Sequence, residues 1–126
     1  MRRDPLFLAF TVKCTPDQNT QQLVESLRQQ IAPDAELIDT RVSSEGTDAV
    51  HHRIGEFFDK IVILPDVDGK ANQFRLVFHR HANAGRFWKD LMIRIVHSLE
   101  EAPGVSVSLD YQGDVLLNWM QPMLAN

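Results

Sequence analysis

A lone thiol, two closely spaced histidines and a pair of aspartates are the side chains of this sequence whose types could carry chemistry. Cys14 stands between an apolar run, Leu6 to Val12, and the sequence Thr15-Pro16-Asp17-Gln18 that reads as a helix start. A helix N-terminus favours anions, so a thiolate there would form more readily than on a free cysteine. Redox exchange would need a second thiol, and the chain has only one cysteine. Free cysteine is also among the most buried residue types. Cys14 is therefore read as a structural side chain at a strand end.

His79 and His81 lie two apart on a predicted strand, so both project from one face. Two imidazoles so placed could share a zinc ion, with His51 or His52 as a third ligand. Arg75 falls on the same face, and its charge opposes a bound cation. The face is read as polar and solvated, with no metal expected. Arg75, His79 and His81 stay as the ligand-binding residues of an alternative reading, in which a pocket opens on this polar face. Asp66-Val67-Asp68-Gly69 looks like the start of a calcium loop. The twelfth position counted from Asp66 is Val77, where that loop needs an acid, so the segment is a turn. Glycine-rich phosphate loops, nucleophile elbows and zinc-protease motifs do not occur. No catalytic residue and no cofactor are assigned.

The elements that hold these residues follow from periodicity and punctuation. Residues 6–12 and 61–64 are apolar on both alternating faces and read as strands covered on both sides. Thr15, Pro16 and Gln18 resemble a capping box, and Leu23, Val24, Leu27 and Ile31 make an apolar stripe, so a helix is predicted over 16–31. Residues 36–42 read as a more exposed strand and 48–59 as a short, weak helix. In 74–80, Phe74, Leu76 and Phe78 alternate with Arg75, Val77 and His79, as a strand with one wet face does. A second long helix is predicted over 86–101, with Phe87, Trp88, Leu91, Met92, Ile95, Val96 and Leu99 on a wide apolar face. Val105, Val107, Leu109 and Tyr111 alternate with polar residues in a strand over 105–111. Residues 115–120 read as a strand or a helical turn.

The expected fold class is α+β, a mostly antiparallel sheet with two main helices packed on one face. The first helical crossover resembles the split β-α-β arrangement of ferredoxin-like domains, whose first and third strands are central. That resemblance implies a fold and no function. It puts the doubly apolar strands, 6–12 and 60–64, at the centre of the sheet.

One domain accounts for all 126 residues. A net charge of −4 with only Arg2-Arg3 as a basic cluster disfavours nucleic acid. The first apolar run is too short for a signal peptide, and no segment nears the roughly eighteen apolar residues of a membrane span. With one cysteine, a cytoplasmic location is expected. The function expected is a non-enzymatic interaction module, a homodimer or bound to a protein partner. Trp119, Met120 and Met123 are the expected interface residues, because two helices leave one sheet face in need of cover. The alternative is a small ligand-binding domain or enzyme with its pocket on the polar sheet face.

Overall fold

The computed structural model describes residues 4–31, 41–42, 57–65, 72–115 and 117–118. Its strands are β1 (Phe7–Cys14), β2 (Arg41–Val42), β3 (Phe58–Pro65), β4 (Gln73–Arg80) and β5 (Val105–Gly113). The helices are α1 (Thr20–Ile31) and α2 (Trp88–Glu100). The strands form one antiparallel sheet in the order β2-β3-β4-β1-β5. The chain is thus α+β, with four long strands and two helices among the described residues. None of the described helices is long and apolar enough to cross a membrane.

Alternation along the strands sorts side chains between two faces. Leu8, Phe10 and Val12 of β1, Ile61 and Ile63 of β3, and Phe74, Leu76 and Phe78 of β4 point to the helices. There they form one core with Val24 and Leu27 of α1 and with Trp88, Leu91, Met92, Ile95 and Leu99 of α2. Both helices therefore pack on one face, and the aromatic rings of Phe58, Phe78 and Trp88 meet at angles within it. Cys14 is buried at the β1 end of the same core.

Phe7, Ala9, Val62 and Val77 make a second, smaller cluster on the opposite face. All four are buried within the chain, with Leu6, Leu64, Tyr111 and Leu117 packed against them. The apolar surplus that pointed to a partner on this face is thus covered at its centre by the chain itself. Trp119, Met120 and Met123 lie outside the described residues, as do 36–40 and most of 48–59.

Several boundaries differ from expectation for local reasons. Thr15-Pro16-Asp17-Gln18 is a turn, closed by the Gln18 N–H on the Thr15 carbonyl. The cap of α1 is Asn19, whose Oδ1 accepts the Gln22 N–H at 3.0 Å, so the helix starts later than residue 16. Phe58, read as the end of a weak helix, opens β3 instead. β4 stops at Arg80, which leaves His81 one residue beyond the strand that carries His79. Beyond β5, residues 115, 117 and 118 are not in a strand. The Tyr111 hydroxyl donates to the Val115 carbonyl at 2.6 Å and turns the chain there.

The centre of the sheet is also shifted. β1 and β4 each have a long strand on both sides, whereas β3 has only the two-residue β2 beyond it. Arg75 and His79, half-buried on β4, made a central strand read like the wet arm of a hairpin. The ferredoxin-like resemblance is not confirmed by this arrangement.

Candidate functional site

Among the described residues, the large apolar side chains left in solvent are Phe87, Ile93, Leu109 and Val115. Two of these, Ile93 on α2 and Leu109 on β5, are about half exposed and face each other across one groove. Local sequence builds it in three steps. β5 is an edge strand, paired only with β1, so its outer row of backbone groups has no strand partner among the described residues. α2 turns Trp88, Met92 and Ile95 down onto the sheet, which sets Ile93, Val96 and His97 along the side that looks toward β5. Gly104, with φ 75°, then carries the chain from α2 into β5. A side chain at Gly104 would strike the Thr15 side chain, and the Gly104 carbonyl accepts the Thr15 N–H at 2.9 Å. Only glycine suits both the conformation and the close approach.

The groove has a volume of about 310 Å³. Leu8 and Phe10 of β1 form its floor, Met92, Ile93 and Val96 one wall, and Leu109 the other. Its polar groups lie toward the ends. Pro5, Gln112 and Lys89 stand at one end and His97 at the other.

The first end is held rigidly. Arg80 is buried, and its guanidinium donates to the carbonyls of Asp4, Pro5 and His81 at 2.7–2.9 Å. It also lies over the Trp88 ring, 5.3 Å from its centroid. A buried charge needs such satisfaction, and the planar fork of arginine supplies it at several carbonyls at once. The segment 4–5 is thereby fixed against the start of α2. There the Asp4 carboxylate accepts from the Trp88 indole at 3.3 Å and pairs with Lys89 at 3.3 Å. These two contacts, the indole first, hold the Asp4 carboxyl below its ordinary range.

β5 itself divides in two. From Val105 to Leu109 it pairs regularly with Cys14 to Phe10, and Val105 and Val107 pack on the core. The register then shifts between Ala9 and Phe10, with Asp110 as the extra residue of a bulge. The Thr11 hydroxyl donates to the Asp110 carboxylate on the second face. This pins the bulge to the buried backbone of β1.

The residues singled out from sequence lie elsewhere. Arg75 and His79 sit half-buried on the second face, opposite Thr11 and Phe7, and His79 stacks on the Phe7 ring at 4.6 Å. His81 donates its N–H to the Phe57 carbonyl past the strand end. None of the three lines the groove. Among the described residues, no three histidine, cysteine, aspartate or glutamate side chains stand together as a metal site would need. The groove residues carried no motif: Met92 fell on the apolar face of the predicted helix and Leu109 on that of the predicted strand, while Ile93 fell outside both. The one available signal was a β5 half with no charge, Val105-Ser-Val-Ser-Leu109, following a helix that ends far along the chain.

In comparisons with known proteins, the chain matches no family model, no curated protein and no solved structure.

Proposed function

We propose that this domain is a non-catalytic interaction module that joins a second copy of itself through the edge of β5. The observation that carries the reading is the pattern of its regular half. Val105-Ser106-Val107-Ser108-Leu109 is apolar on the helix side, serine on the other and uncharged throughout. Long, uncharged edges are the ones that template pairing, and edges that stay single usually carry lysine, proline or a shortened strand. β5 has its bulge only after Leu109, so five residues remain straight.

The pattern is also its own reverse. A two-fold axis at Val107 sets Val107 against Val107 of the second copy, Val105 against Leu109, and Ser106 against Ser108. Apolar then meets apolar on one face, and hydroxyl meets hydroxyl on the other, both favourable cross-strand pairs. No like charges are opposed. Closed two-fold pairing is the commonest form of homo-oligomer, and it would set Val105 of the second copy beside Leu109, the exposed apolar side chain of this strand. The single, buried Cys14 supports placing the module in the reducing cytoplasm.

Light scattering at micromolar concentration tests the assembly. The expected mass is twice the 14.4 kDa of one chain. The double substitution Ser106→Lys with Ser108→Lys opposes two lysine pairs across the seam while changing only exposed side chains. It should give a folded monomer. A wild-type chain of monomeric mass overturns the proposal, as does a double variant that still dimerises.

A further inference from the structure

We infer that the groove between α2 and β5 binds a small anionic amphiphile, with a carboxylate head at Lys89 and Gln112 and a straight aliphatic body lying over Leu8 and Phe10. The inference concerns the groove of a single chain and does not rest on the β5 pairing.

Size and lining come first. A volume of about 310 Å³ lies at the small end of ligand sites, which run from roughly 300 to 1,000 Å³. Lys89 and His97 mark its two ends on α2, eight residues apart, and at 1.5 Å per residue the groove runs about 12 Å. A narrow apolar channel of that length suits an unbranched chain of medium length. An aromatic ring system would leave much of it empty. Ile93 and Leu109 are the side chains such a body would take out of water, and both are about half exposed.

Charge selects the head. The chain carries a net −4, yet the ionisable groups that line the groove are Lys89 and His97, and no carboxylate lines it. The ammonium of Lys89 has three protons to donate. Asp4 takes one direction, in a pair whose side chains are 53% and 43% exposed, and such pairs contribute little and yield readily to a competitor. The Gln112 amide offers a second donor at the same end. Arg80 fixes Pro5 and Trp88 at the head end, so that end is formed before the ligand arrives, which limits the ordering cost of binding.

Calorimetric titration of the full chain with decanoate, below its micelle concentration, tests the inference, with decanol and decyltrimethylammonium as head-group controls. Saturable one-to-one binding of decanoate is expected, tighter than decanol and with none for the cation. Ile93→Glu places a carboxylate in the channel from an exposed position and should abolish binding. Lys89→Gln should weaken decanoate by about fivefold, the scale of a partly exposed charge pair, and leave decanol unchanged. The Ser106→Lys, Ser108→Lys variant should bind as the wild type does, since neither serine lines the groove. Failure to bind decanoate, equal binding of all three heads, or full binding by Ile93→Glu overturns the inference. Loss of binding in the double-lysine variant overturns the claim that one chain suffices.

Discussion

The two faces of the sheet are built on different terms. On the helix face, β1, β3 and β4 send apolar side chains inward, with the buried Arg80 at the end of β4 over the Trp88 ring, and two helices seal them into one core. On the second face a short apolar row, Val62, Val77 and Ala9, runs between polar neighbours: Lys60 and His79 on one side, Arg75 and Thr11 on the other. The first face gains its stability from volume, and the second from a thin apolar row bordered by polar contacts such as Thr11 with Asp110. The contrast shows where unsatisfied apolar surface remains. Among the described residues it is at neither face centre; besides Phe87 and Val115 it lies at the lip where the helix layer stops short of β5, at Ile93 and Leu109.

Truncations on the two faces should differ in size. Phe78 is fully buried and touches the rings of Phe10 and Phe58. Phe78→Ala should cost about 4 kcal/mol in urea denaturation, as large core cavities do. Val77, its neighbour on the other face, is equally buried but smaller and in a thinner layer. Val77→Ala should cost about 2 kcal/mol, chiefly the transfer of the lost methyl groups. Equal losses would mean that the second face is as thickly packed as the first, and would break the comparison.

A smaller effect sharpens the account of the groove end. The Asp4 carboxyl is held below its unfolded value near 3.8 by the Trp88 indole and by Lys89. A carboxyl depressed in the folded state contributes stability that is fully present above the unfolded value and is lost as pH falls through the folded one. The wild type should therefore lose slightly more stability below about pH 4 than Asp4→Asn does, in thermal melts followed by circular dichroism. Identical acid profiles would show that Asp4 does not hold the segment against α2.

Much of this architecture was legible because its signals are local. The alternation of Phe74, Leu76 and Phe78 with Arg75, Val77 and His79 gave β4 and its two faces, and the stripe from Trp88 to Leu99 gave α2. What stayed hidden depends on distant residues. Thr15 reads as a cap because only the next four residues are visible. In the fold its N–H is taken by Gly104, and Asn19 does the capping. The expectation that His79 and His81 share one strand took β4 as far as residue 81, whereas it ends at Arg80, whose guanidinium donates to the carbonyls at 4 and 5. The groove could not be read at all, because its walls come from β1, α2 and β5. Each residue in them is an ordinary apolar one until the sheet order brings them together.

The central claim is the self-pairing of Val105 to Leu109 about Val107, and a cysteine at that position tests it most directly. Cβ atoms directly opposed across an antiparallel pair lie about 4.5–5.5 Å apart, close enough for a disulfide after a small adjustment. Cys14 is buried and does not compete. Under mild oxidation Val107→Cys should yield a disulfide-linked dimer in high yield, and Gln112→Cys, beyond the bulge, should not. A chain that cross-links at 112 and not at 107, or at neither, would contradict the account.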